Sequence, residues 1–371
     1  DTFDFKKADI AIFATTKEQG KRFIKKATGA GCRVIDLSGA TFGDSSVPLV
    51  IPELNGELLK RANGQATDGL PQVIGVPSSA VYQILLPLAG TIKEHKLKRL
   101  VVTTFNSTSY HGHEAMDELF TQSRKIFLNE TLVDDEQIFK KQIAFNVLPQ
   151  VGEFIGEETS LEWAINAEIK KVLDSDIKVH ANCAFVPTFI GDAAFVNAEF
   201  DDEVDATAVR EAMKAQKNVV VFDKTVDAGY VSVDDVQGED SVYVSRVRQD
   251  VSVENGISFW TVADNLRAGG AKLAFSVMTA VLANAAAVLT GLAVISGDVA
   301  AAGKKTAHAV GTNSADITAA KTSGKSGSAE ASGKSGSAKT SGSSGGAETE
   351  ALGVDEGEVS GTENEAAFDY K

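Results

Sequence analysis

Apolar residues gather in short segments of strand length that alternate with longer stretches of helical period. Ala8–Ala14 reads as a buried strand. Lys17–Thr28 carries Phe23, Ile24 and Ala27 at helical spacing and ends before Gly31, and Cys32–Leu37 is the next strand. Strand, helix and strand at this spacing predict a right-handed crossover in a parallel sheet. The next junction is the most informative. In Val73-Ile74-Gly75-Val76-Pro77-Ser78-Ser79-Ala80-Val81-Tyr82-Gln83 a β-type run stops at Pro77. A small-residue turn follows, and a helix then runs through Leu85, Leu86 and Leu88. Such a turn presents a side chain and free N–H groups at a helix start, a common seat for a nucleophile.

Further along, Lys98–Phe105 reads as a strand, and His113–Phe127 as a helix with Met116, Leu119, Phe120 and Ile126 on one side. Ser160–Leu173 is amphipathic, with Leu161, Ile165, Ile169 and Val172 at core spacing. Val179–Phe200, Val219–Phe222, Ser241–Arg246 and Ile257–Val262 are strand-forming, and Asp205 caps a helix to Gln216. The apolar content of Val179–Phe200 and Ile257–Val262 fits a sheet with one face on helices and one free to pair. Leu273–Gly297 carries no charge and is long enough to span a bilayer. It is rich in Ala, Ser, Thr and Gly, so the expectation is a buried terminal helix and no membrane.

From Gly303 onward the pattern disappears. Nine-residue units begin at Ser323, Ser332 and Ser341, and aromatics are absent until Phe368 and Tyr370. Residues 303–371 cannot bury a core and are expected to be a disordered Gly/Ser/Ala-rich tail, with Phe368-Asp369-Tyr370 as a docking segment for a protein partner. Its two Gly-Lys-Ser triplets lack the glycine spacing and preceding strand of a phosphate loop. A net charge of −15 argues against nucleic acid and anionic membranes. Two cysteines, Cys32 and Cys183, fit a reducing, cytoplasmic setting. His111 and His113 flank a glycine beside Glu114, but with no third placed ligand the reading is a solvated loop and no metal.

The stretch around Ser79 resembles the nucleophile segment of aspartate-semialdehyde dehydrogenases, Asn-Pro-Asn-Cys-Ser-Thr followed by a Gln. Pro77 and Gln83 match, and the cysteine position is Ser79. Val47–Asn55, Gln142–Gly152 and Ala263–Ala271 are similarly family-like. The resemblance covers about residues 1–287 and is closest to the Usg proteins, relatives that lack the catalytic cysteine. It implies an α/β fold: an incomplete Rossmann-like parallel-sheet lobe at 1–80, completed by helix 267–297, and an α+β dimerisation lobe at 81–266. No Gly-x-Gly-x-x-Gly turn precedes the first strand, and Thr15 and Thr16 stand where the family has a glycine pair near its cofactor.

The same resemblance assigns site positions. The histidine acid/base falls on Asp192 and the substrate-positioning glutamine on Asn106. The arginines that hold phosphate and substrate carboxylate fall on Phe42 and Phe185, and a substrate lysine on Ala164. Asn265 and Gly269 are vestigial cofactor positions, and Tyr110 fills space a cofactor would need. Fold-bearing segments match while site positions are replaced. The reading is therefore a catalytically degenerate, non-enzymatic dimeric structural or interaction protein without a cofactor. The alternative is an NADP-dependent oxidoreductase of amino-acid biosynthesis with residual or altered activity.

Overall fold

The structure is a computed structural model. It describes the backbone of residues 3–60, 70–132 and 137–296, with side chains for these apart from 60 and 285–296. β1 (Ile10–Phe13), α1 (Lys17–Gly29) and β2 (Arg33–Asp36) form the expected crossover. Thr16 caps α1 by accepting from Gln19 N at 3.4 Å, and Gly31, at φ +95°, turns the chain into β2. α2 (Pro52–Asn55) follows, and then β3 (Val73–Gly75). The three strands make a parallel sheet in the order β1-β2-β3.

α3 (Ser79–Leu85) and α4 (Ala89–Glu94) are joined by a 3-10 turn at Leu86–Leu88, where Pro87 cannot donate to a continuous helix. β4 (Leu97–Asn106), α5 (His113–Phe127), a short hairpin of β5 (Phe154–Ile155) and β6 (Glu158–Thr159), and α6 (Ser160–Leu173) come next. β7 (Lys178–Phe185), β8 (Asp192–Phe200), α7 (Ala206–Ala215), β9 (Val219–Val221), β10 (Val242–Asp250) and β11 (Gly256–Ala263) follow. A π-helical turn, Arg267–Lys272, leads into α8 (Leu273–Ser296). The second sheet has the order β7-β4-β8-β11-β10-β9.

The apolar stretch Val179–Phe200 divides into β7 and β8, which do not pair with each other. β4 lies between them, parallel to β7 and antiparallel to β8. The reversal needs the loop after Phe185, which contains Pro187 and ends at Gly191. Gly191 has φ +95°, and a Cβ there would meet Val233.

One face of this sheet, with Val102, Val196 and Phe259, is buried in the helices. The other face carries Phe105, Phe195 and Trp260, with ring centroids 4.7 to 6.3 Å apart. The core is continuous between the two sheets: Ile35, Ile74, Val81, Leu100, Phe259 and Val277 belong to one apolar cluster. Among the described residues no helix is long and apolar enough to cross a membrane. The tail 303–371 and its Phe368-Asp369-Tyr370 ending lie outside the described residues.

Candidate active site

β3 delivers the chain to the turn before α3, and Val76 N donates to Asp36 O of β2 at 2.9 Å. The residue this turn fastens is Ser78. Its N–H and its hydroxyl both donate to Glu168 Oε2, at 2.8 and 2.7 Å. Glu168 comes from α6, whose own start is held by Glu162. That carboxylate accepts Thr159 N at 2.7 Å and Cys183 N at 3.0 Å, tying α6 to β7. Burial pushes the Glu168 carboxyl up, opposed by the two bonds from Ser78. Ser79, the expected cysteine position, is half-buried as the first residue of α3, and its hydroxyl has no hydrogen-bond partner among the described residues.

Gln83 lies one helical turn on. Its Nε2 donates to Asp192 O at 3.1 Å and Thr261 O at 3.0 Å, so α3 is fixed to the start of β8 and to β11. The structure brings Asp192 together with Asn106. Asp192 Oδ1 accepts Ser107 N at 2.8 Å and Ser107 Oγ at 2.9 Å, while Oδ2 accepts Asn106 Nδ2 at 3.1 Å. Asn106 Oδ1 in turn accepts Thr104 Oγ1 at 2.7 Å. Burial pushes the Asp192 carboxyl up to about 6, against the bonds from Ser107 and Asn106 that lower it.

Asn265 joins this network from the other side. Its Oδ1 accepts Gly191 N at 3.0 Å and the Ser109 hydroxyl at 3.2 Å and lies 3.4 Å from Ser107 Oγ, whose proton goes to Asp192, and its Nδ2 lies 3.0 Å from Ser109 Oγ. Gly269 abuts the Ser79 backbone. Ser107 and Ser109 carry much of the network, although sequence reasoning gave them no role. The signal was present in Asn106-Ser107-Thr108-Ser109, a polar run directly after a buried strand.

Phe185 and Phe42, where the sequence resemblance expects anion anchors, are built differently. Phe185 is buried, with its ring 4.9 Å from His111, 5.1 Å from Phe139 and 6.0 Å from Tyr110. Tyr110 lies near enough to Glu168 and Asp192 to feel both charges. Burial first, and then those carboxylates, push its hydroxyl up to about 12. Phe42 contacts α6 instead: its ring meets Trp163 edge-on at 5.8 Å, and Lys171 Nζ lies 5.4 Å from its centroid. Ala164, half-buried, is on the same helix.

Lys171 is a cation that sequence reasoning passed over. It donates to the carbonyls of Phe42 and Asp44 at 2.8 and 2.9 Å, and burial pulls its pKa down while Asp44 pushes it up. His113 pairs with Asp117 at 2.9 Å and His111 stacks on Phe185, so the two histidines serve different neighbours. Among the described residues no group of three or more His, Cys, Asp or Glu side chains could hold a metal.

Three further polar side chains, Thr16, Asp36 and Asn265, bond to their own chain. Thr16 caps α1. The Asp36 carboxylate accepts Ser38 N and Oγ at 2.8 and 2.5 Å, and Thr41 N and Oγ1 at 2.9 and 2.6 Å. Both ends of the Asn265 amide are engaged.

A parallel sheet of nucleotide-binding type shares its core here with a larger mixed sheet, and the turn at Ser79 lies where they meet. That arrangement is of the two-lobe dehydrogenase class. Residues 1–62 match the family model for the semialdehyde dehydrogenase NAD binding domain, and residues 85–268 the model for the semialdehyde dehydrogenase dimerisation domain. The chain is 38% identical over 268 residues to the aspartate-semialdehyde dehydrogenase of Rickettsia conorii, covering 72% of this chain and 77% of that protein. It is 38% identical over 272 residues to that of Rickettsia bellii, covering 73% and 78%. The crystal structure of aspartate semialdehyde dehydrogenase II from Vibrio cholerae matches with a TM-score of 0.70 at 30% identity, covering 76% of this chain and 82% of that one. The chain belongs to the aspartate-semialdehyde dehydrogenase family.

Proposed function

We propose that this chain is a catalytically degenerate member of the family, of the Usg type, and works as a non-enzymatic dimeric protein. The observation that carries the reading is the state of Asp192. It stands at the acid/base position, buried, with three hydrogen bonds converging on its carboxylate from Ser107 and Asn106. No hydrogen bond among the described residues links it to Ser79. Phosphorylating oxidation of an aldehyde needs a thiolate to attack, a hydride acceptor, and phosphate to cleave the thioester. A serine hydroxyl is far less ionised than a thiol at neutral pH, and a carboxylate near 6 is a weak base for an alcohol. Phe185 and Phe42 offer no charge to substrate anions.

The groups that would meet a nicotinamide cofactor do not fit it in this reading. Thr15-Thr16 replaces a glycine pair, and Asn265 is bonded to Ser109 and Gly191. A lobe at 1–80 completed by α8, and a lobe at 81–266 that pairs two copies across the open sheet face, complete the proposal. The match to an NAD binding domain model favours the second reading, an NADP-dependent oxidoreductase with residual activity.

One experiment separates the two. The full chain is titrated with NADPH and then assayed with NADP, aspartate semialdehyde and phosphate. Neither saturable binding nor NADPH formation is expected. Binding together with turnover would establish the enzyme instead.

A further inference from the structure

The turn at residues 142–147 holds an aromatic side chain outward in a conformation that costs free energy. Phe145 has φ +57°, a region unfavourable for a bulky residue, and is 61% exposed. The turn around it is tightly bound. Asn146 Nδ2 donates to Gln142 O at 2.8 Å, Gln142 Nε2 to Ala144 O at 2.7 Å, and Val147 N to Asn146 Oδ1 at 2.9 Å. Gln122 of α5 accepts the N–H groups of Ile143 and Ala144 at 2.9 and 3.2 Å. Phe127 of α5, also exposed, meets the Phe145 ring edge-on at 5.5 Å. A hydrogen-bonded turn that shows two aromatic rings to water is the form of a contact surface, since among the described residues neither ring is covered.

The neighbouring backbone indicates what covers it. Leu148 pairs with Phe185 in both directions, at 2.9 and 3.0 Å, at the end of β7. Leu148 is buried, so alternation sends Val147, which is exposed, toward the open side of the sheet. Val186, the residue after Phe185, lines an open apolar cavity of about 570 Å³ on that side, walled by Phe105, Phe195 and Trp260. The turn therefore lies beside the β7 edge, and the cavity opens over β4, β8 and β11 on the same side of the sheet, both within the residues that match a dimerisation domain. Phe127, Phe145 and Val147 bear no charge, and the cavity itself is aromatic and aliphatic apart from Thr188, Ser232, Asp234 and Arg246, whose two charges are opposite, so a second copy as acidic as the first meets no net negative charge there.

We propose that the 142–147 turn reaches across the two-fold axis of a homodimer, so that Phe145 of each copy seats in the Phe105–Phe195–Trp260 cavity of the other. Giving and receiving the same contact is what an isologous interface requires. The inference rests on the reading that two copies pair across the open sheet face. Sedimentation of the full chain over a wide concentration range tests both. The wild type is expected to dimerise, and Phe145→Asn to raise the dimer dissociation constant at least tenfold. Asn tolerates the positive φ, so the monomer should melt unchanged by circular dichroism. Val147→Ser, which leaves the strained residue alone, should weaken the dimer in the same direction. A wild type that stays monomeric at every concentration would remove the pairing reading and this inference together. A stable dimer unaffected by both substitutions would remove the inference alone.

Discussion

Gly269 lies directly against Ser79. A Cβ at position 269 would come within 2.7 Å of Ser79 Cβ and closer still to its Cα. The π-helical turn that leads into α8 is therefore seated on the first residue of α3, and only a residue without a side chain permits it. Gly269→Ala should displace α3, because backbone has no rotamer by which to move aside. A loss of about 1–3 kcal/mol is expected, read as a lower melting temperature. An unchanged melt would mean that the two segments are not in contact.

Ser79→Cys alone should not produce dehydrogenase activity. The thiol would stand at a helix start, which favours its thiolate, but the Asp192 charge opposes ionisation. Phe42 and Phe185 would still leave substrate anions unheld, at a cost of roughly 1.5–3 kcal/mol for each lost charge-assisted bond. NADPH formation from the semialdehyde and phosphate is the readout, and clear turnover would contradict the degenerate reading.

Asp192 should make the protein less stable as pH rises. Its folded value, about 6, lies above the unfolded carboxylate value. Its contribution is therefore complete below the unfolded value and is lost as pH climbs through 6. Between pH 5 and 7.5 the loss is about 1.4 kcal/mol. Asp192→Asn should remove this part of the slope. Its carbonyl can accept from Ser107, and its amide can be met if the Asn106 amide turns over and donates to Thr104 Oγ1. Chemical denaturation of both proteins at the two pH values measures the difference, and identical slopes would show that Asp192 does not titrate there.

Phe185→Arg, which would place a guanidinium where the proposed reading expects a carboxylate anchor, should cost stability rather than add affinity. The side chain is buried against His111, Phe139 and Tyr110, none of which carries a negative charge, and the carboxylates near Tyr110, Asp192 and Glu168, are already held by Ser107, Asn106 and Ser78. Leaving a charge unpaired there should cost several kcal/mol and lower the melting temperature by on the order of 10 °C. A variant that melts like the wild type would show that the aromatic cluster opens to water more readily than its packing implies.

The strand and helix order was legible in the sequence because it rests on local period. The apolar-rich segments Ala8–Ala14 and Cys32–Leu37, and the 3.6-residue spacing of Leu161, Ile165 and Ile169, need no distant partner to be read. The resemblance singled out Asn106 and Asp192 one at a time, and only the folded chain shows that their side chains bond to each other. Other features depend on residues far apart in the chain. Val179–Phe200 looks like one apolar stretch, yet β4 passes between its halves, a choice made by hydrogen-bond pairing and not by period. The link from Ser78 to Glu168 spans 90 residues, and that from Gln83 to Thr261 spans 178. A buried hydrogen bond is favourable only where the folded chain excludes water and supplies both partners. Local sequence thus determined which segments are strands and helices. Tertiary packing decided that Ser78 is held while Ser79 is not, and that Asp192 is buried under three hydrogen bonds.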